Sequence, residues 1–118
     1  MILNQDSLLS VDKKLVELCF EVGKTWDLCI VCGFRNQSAQ EKAFKEGKSK
    51  LQFPHSKHNS VPSKAVDVAS YDLVQHKIDW EDKTCQELRE YIDEVARSMR
   101  ILINPAIKWD LLHLELKG

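Results

Sequence analysis

The residues able to do chemistry gather at two places in this chain. The stretch SKHNSVPSKAVDV, Ser56–Val68, puts His58 in a polar segment and Asp67 nine residues later inside an apolar run. The ending DLLHLEL puts His113 three residues after Asp110. Charged side chains are seldom buried without a partner, and a bound cation is one partner that would neutralise Asp67. Two imidazoles and one carboxylate suit zinc, and three protein ligands leave a fourth position for water. A zinc ion lowers the pKa of its water to about 7 and polarises a carbonyl. Asp110, beside the set of His58, Asp67 and His113 without belonging to it, is then a candidate base that takes the water's proton and passes it to a leaving amine. A second reading stands beside this one. Each histidine alone reads equally as a surface or hydrogen-bonded core residue, and Asp67 as a structural carboxylate paired with an arginine or with backbone N–H groups.

These side chains need elements to position them. AVDVASY has the composition of a strand, and its period of two puts Ala65, Asp67 and Ala69 on one face and Val66 and Val68 on the other. Small neighbours leave room around Asp67, while the valines can enter a core. In the closing LLHLEL strand, Leu112, Leu114 and Leu116 point one way, and Leu111, His113 and Glu115 the other. SVDKKLVELCFEVGK reads as a helix capped by Ser10, with Leu15, Leu18, Cys19 and Val22 as its apolar stripe and Gly23 as its stop. LCIVCGF reads as a buried strand. NQSAQEKAFKEG reads as a short helix with Asn36 as cap and Gly47 as stop. Residues 48–64, with Pro54 and Pro62, read as a long loop, and loops of that length tend to be functional or mobile. DLVQHKIDWED reads as irregular. TCQELREYIDEVARSM reads as the best helix, with a Thr84–Glu87 capping box and a buried face of Leu88, Tyr91, Ile92, Val95 and Met99. RILI reads as a further strand. The sum is an α+β class, with helices packed on a small antiparallel sheet.

A chain of 118 residues implies one domain, 1–118, with a single core. With 43% hydrophobic and 30% charged residues it has a globular composition. A net charge of -1 without a basic cluster excludes nucleic acid as the main ligand. No segment reaches the ~20 apolar residues of a membrane span, and MILNQDSLLS lacks the pattern of a secretory signal. The expected place is therefore a cytoplasm, and the expected state a monomer. Cys29 and Cys32 form a C-x-x-C pair, but one inside an apolar strand, so core thiols are expected rather than a redox couple.

Three ordered blocks carry a resemblance. SKHNSVPSKAVDV resembles the Ser-x-His…Ala-x-Asp signature of the zinc D-alanyl-D-alanine and L-alanyl-D-glutamate peptidases, in a longer-loop branch found among phage endolysins. DLLHLEL resembles that family's Asp-x-x-His-Phe-Glu ending. CGFRNQSAQEKAFKEGKSKL resembles its Gly-Tyr-Arg-Ser…Gln…Gly-Lys-Ser-Lys-Leu segment. The likeness spans roughly residues 8 to 116. It implies a Hedgehog/DD-peptidase-like fold, zinc on His58, Asp67 and His113, and Asp110 as catalytic base. It also implies that Arg35 holds the substrate carbonyl or the developing oxyanion, that Ser56 binds substrate or fixes its loop, and that Gln40 lines the cleft. Glu115 is placed either to orient a ligand histidine or to remain a solvated carboxylate. His55, three residues before His58, reads as a loop residue, His76 as a surface residue, and Trp80 and Trp109 as cleft-rim or core aromatics.

Two departures matter. Ser63 and Lys64 stand where the family usually has a glycine before Ala-x-Asp. The connection NPAIKWD is short where many relatives have a Trp-Gly-Gly-Asp-Trp loop, so the cleft is expected to be more open on that side. The implied activity is cleavage of bacterial peptidoglycan stem peptides at the L-alanyl-D-glutamate bond by an Asp110-activated, zinc-bound water. The alternatives are a D-alanyl-D-alanine carboxypeptidase and a non-catalytic, zinc-stabilised module of the same fold. The implied location is the host bacterial cytoplasm, with access to the wall once the membrane is breached.

Overall fold

A computed structural model describes residues 1–118. The element order is β1 (Ile2–Leu3), α1 (Lys13–Val22), β2 (Leu28–Cys32), α2 (Gln37–Lys45), β3 (Ala65–Asp72), β4 (Lys77–Asp79), α3 (Asp82–Met99) and β5 (His113–Glu115), with single 3-10 turns at Gln5–Leu8 and Lys57–Asn59. One sheet runs β1-β2-β3-β4, and β5 also pairs with β3. β4 takes the C-terminal half of β3 (Ser70–Asp72) and β5 takes the N-terminal half (Ala65–Asp67), both antiparallel. β2 is antiparallel to β3, while β1 is parallel to β2, so the sheet is not wholly antiparallel.

The alternation read in β3 explains the layering. Val66 and Val68 enter a core with Leu28, Ile30, Leu112 and Leu114, and α1 and α3 close that core with Leu15, Leu18, Leu88 and Ile92. Fully burying one such side chain contributes about 1.5–3 kcal/mol. Leu15, Leu18, Cys19 and Val22 are all buried, as the stripe in α1 predicts.

Several local readings change. Asp12, not Ser10, caps α1, its side chain accepting from Lys14 N at 2.9 Å. α3 begins at Asp82 with Glu81 as N-cap, so Thr84 lies inside the helix and its hydroxyl donates to Asp79 Oδ2 rather than forming a capping box. DLVQHKIDWED contains β4, entered through a turn in which Asp72 Oδ1 accepts from Val74 N and Gln75 N and His76 takes a positive φ. RILI forms no strand. Arg100 ends α3 in the left-handed conformation, and Ile103 makes only an isolated bridge to Leu116. No helix is long and apolar enough to cross a membrane.

Candidate metal centre

Asp67 lies on the central strand with a partner on each side. Cys32 of β2 and His113 of β5 are its cross-strand neighbours. The β2–β3 register steps from Ile30↔Val68 to Cys32↔Asp67, leaving Val31 as an extra residue. A bulge of this kind re-aims the side chains of its strand, and here it brings Cys32 opposite Asp67. His58 comes from the long loop, held by the 3-10 turn. Ser56 Oγ accepts from His58 N at 3.2 Å, and Asn59 Oδ1 accepts from Ser56 N at 3.1 Å. His58 is only 2% exposed.

The hydrogen bonds of the two rings decide where their lone pairs point. His58 Nδ1 donates to the Gly33 carbonyl at 2.7 Å. A carbonyl only accepts, so a neutral His58 carries its lone pair on Nε2. That nitrogen is buried without a hydrogen-bond partner and lies 3.3 Å from Asp67 Oδ1, a charge contact outside hydrogen-bond geometry. His113 Nε2 donates to Glu115 Oε1 at 2.8 Å, and its Nδ1 lies 2.8 Å from the same Asp67 Oδ1. Asn104 and Lys57 hold the other oxygen of Glu115, which fixes the carboxylate that orients His113. Ligand atoms around a tetrahedral zinc with bonds of about 2.0–2.1 Å stand about 3.3 Å apart. An orphaned, buried imidazole nitrogen costs about 1–3 kcal/mol unless something binds it, so the donor set fits a metal ion.

Cys32 Sγ also approaches. Together with His58 and Asp67 it forms a group whose ligand atoms lie within 4.8 Å of one another and could hold a metal ion. Yet Cys32 meets His58 at Nδ1, 3.9 Å away, the nitrogen already engaged by Gly33. Cys32 therefore approaches His58 at the nitrogen that Gly33 occupies, whereas His113 Nδ1 lies 2.8 Å from Asp67 Oδ1.

Charge follows from this packing. Burial pulls the His58 imidazolium down, but Asp67 and Cys32 outweigh it and hold the pKa at about 9. Burial pushes the Asp67 carboxyl up, but His113 and His58 hold it far below the usual range. His113 is likewise raised, burial being outweighed by Asp67 and Glu115. Asp110 is raised, first by partial burial and then by the charge of Asp67. In the metal-free protein His58 therefore gains a proton that a metal must displace. Its folded pKa lies above its unfolded value, so its stabilising contribution is complete below pH 6.5 and is lost as pH rises through about 9. Metal binding changes in the opposite sense, because it needs neutral imidazole. Thermal melts from pH 6 to 9 are expected to show the gain in Tm on adding zinc growing with pH, while the His58 contribution to the metal-free protein falls.

His58, Asp67, His113, Asp110, Arg35 and Ser56 line one cleft of about 370 Å³. Arg35 Nη1 donates to Gln40 Oε1 at 2.9 Å, and its Nη2 lies 3.7 Å from Asp67 Oδ2. Gln40 does not line the cleft. It is 0% exposed, its amide nitrogen donates to Ser49 Oγ and the Leu51 carbonyl, and its oxygen accepts from Arg35 and Asn59. Its work is to hold Arg35 and the loop, not substrate. Ser56 lines the cleft, but its hydroxyl caps the turn that carries His58. His55 is exposed on the cleft wall, and His76 is exposed at the β3–β4 turn. A roomier groove of about 500 Å³ beside β4 contains no histidine.

The thiols are less buried than the strand reading implies. Only Cys19 is fully buried, with burial pushing it up to about 12, while Cys29 and Cys32 are half-buried and all four are free. The sequence reading did not place two residues in this region. Cys32 was hidden by the bulge, which no periodicity predicts. Arg89 was hidden in a helix face scored for apolar residues. It is 3% exposed and donates to the carbonyls of Leu111, His113 and Asn104 and to Asp93, pinning the segment between Asp110 and His113.

Comparison with known proteins bears on this arrangement. The fold is similar to the crystal structure of the Serratia marcescens L-Ala D-Glu endopeptidase ChiX, with a TM-score of 0.80 at 19% identity over 99% of this chain and 90% of that one. No curated protein matches by sequence. The sequence profile described as phage L-alanyl-D-glutamate peptidase matches residues 3–115. That match spans nearly the whole chain and every residue of the cleft, and the chain belongs to the phage L-alanyl-D-glutamate peptidase family.

Proposed function

We propose that this protein is a zinc-dependent peptidase that hydrolyses the L-alanyl-D-glutamate bond of peptidoglycan stem peptides. One observation carries the reading. Two histidines whose far nitrogens are engaged by Gly33 and Glu115 turn their remaining nitrogens to one oxygen of Asp67, in a cleft that also holds Asp110 and Arg35. His58 Nε2, Asp67 Oδ1 and His113 Nδ1 would hold the ion. Zinc bound there supplies Lewis-acid polarisation of the scissile carbonyl and lowers the pKa of water at the site. Asp110, as the carboxylate, removes a proton from the attacking water. As the water oxygen bonds to the alanyl carbon and the C–N bond breaks, the same carboxyl returns that proton to the amine of D-glutamate. Arg35, held flat by Gln40, faces the carbonyl oxygen with a fixed positive charge as it gains negative charge. The protein acts as a monomer. It resides in the host cytoplasm until a membrane lesion admits it to the wall.

A free stem peptide beginning L-alanyl-γ-D-glutamyl tests the reading. Zinc-loaded protein is expected to release alanine with one new amine per cut, and chelation is expected to abolish release until zinc is restored. Release that survives chelation would contradict it. The ligand set has its own test. His113→Ala is expected to lower zinc affinity at least about 100-fold, while Cys32→Ser keeps stoichiometric zinc. Calorimetric titration reads both variants, and the opposite ranking would make Cys32 the third ligand.

A further inference from the structure

A second groove of about 190 Å³ adjoins the cleft and shares Trp109 and Asp110 with it. Trp80, Leu111 and Leu112 also line it. The two indoles are 62% and 59% exposed, although large aromatics on a small protein normally find cover. The cleft itself has a different character, because Lys48, Lys50, Lys57 and Arg35 line it. One end of the joined groove thus carries charged groups, with Lys48 and Lys50 beside the Arg35–Asp67 and Lys57–Glu115 pairs, and the other is aromatic, with Lys50 Nζ lying 4.4 Å from the Trp109 ring centre.

Resting on the activity proposed above, we propose that the Trp80–Trp109 groove is a saccharide subsite for the glycan strand that carries the stem peptide. The substrate's own connectivity brings a sugar close to the cut. Only the alanyl residue and a lactyl ether separate the scissile carbonyl from an amino sugar, and a residue-sized link spans at most about 3.6 Å. The sugar therefore lies within about 7 Å of the cut. The peptide beyond the cut carries free carboxylates, which match the lysine-lined end. The sugar is uncharged and presents C–H groups on its ring faces, which pack on exposed indoles. Asp82 and Lys108, which also line the groove, offer polar groups to its hydroxyl and acetamido groups.

The test compares kcat/KM on a free stem peptide and on the same peptide attached to its disaccharide, for the wild type, Trp80→Ala and Trp80→Phe. Trp80 does not line the catalytic cleft, so the informative quantity is the ratio of the two substrates. Loss of a central aromatic anchor is worth about tenfold. Trp80→Ala is expected to lower the disaccharide-to-peptide ratio by about that factor, and Trp80→Phe to recover part of it. An equal loss on both substrates, or no loss on either, would overturn the subsite. If the wild type cuts neither substrate, the peptidase reading fails and binding decides the subsite separately. Peptide-stripped glycan strands would be titrated into wild-type protein while the indole N–H resonances are followed. Saturable shifts at Trp80 and Trp109 sustain the saccharide site, and unmoved resonances overturn it.

Discussion

Asp110→Ala is expected to lower the rate of stem-peptide hydrolysis by about a thousandfold while leaving zinc stoichiometric. The two readouts separate because Asp110 stands beside the ligands without being one of them. Its backbone keeps the local turn, with its N–H donating to Ile107 O at 2.9 Å and its carbonyl accepting from His113 N at 3.3 Å, so truncating the side chain leaves His113 in place. Partial burial and the charge of Asp67 hold its pKa above the ordinary carboxylate value. Loss of metal in this variant, or activity within tenfold of the wild type, would remove Asp110 from the proton path.

Arg89→Ala is expected to cost about 3–5 kcal/mol of folding stability, the range for breaking a buried charged network by removing one partner. Three carbonyls, of Leu111, His113 and Asn104, lose their donor at once, and Asp93 loses its ion pair. That is a large part of the ~5–15 kcal/mol that holds a small domain together. Arg89→Lys restores the charge but not the planar fork that reaches three acceptors, and an intermediate loss is expected. Chemical denaturation of the zinc-free proteins measures both. Zinc affinity should fall alongside stability, because Leu111 and His113 flank the strand end that presents the ligand imidazole. A loss below 1 kcal/mol in Arg89→Ala would mean that water replaces the guanidinium and that the segment does not depend on it.

The legible part of this molecule follows from side-chain period. Alternation in AVDVASY and LLHLEL placed Asp67 and His113 on the cleft side and the valines and leucines in the core, and the register Asp67↔His113 brings the two together. The helices that bury a leucine stripe were legible for the same reason. What escaped depends on contacts between distant segments. β1 has two residues and exists because β2 offers it a parallel edge. Arg89 looks like a solvated helix residue until the 104–113 segment closes over it. Gln40 carries a side chain suited to substrate, and only its burial shows that it serves Arg35 instead. The bulge at Val31 changes which residue faces Asp67, and no pattern in LCIVCGF signals it.

The most direct measurement is digestion of purified peptidoglycan with the zinc-loaded protein, followed by mass spectrometry of the released fragments with Asp110→Ala as control. Stem peptides that begin at D-glutamate, absent from the control, are the predicted result. Release of single D-alanine instead would make the protein a carboxypeptidase. Intact peptidoglycan with zinc bound stoichiometrically would contradict catalysis altogether and leave a zinc-stabilised module of the same fold.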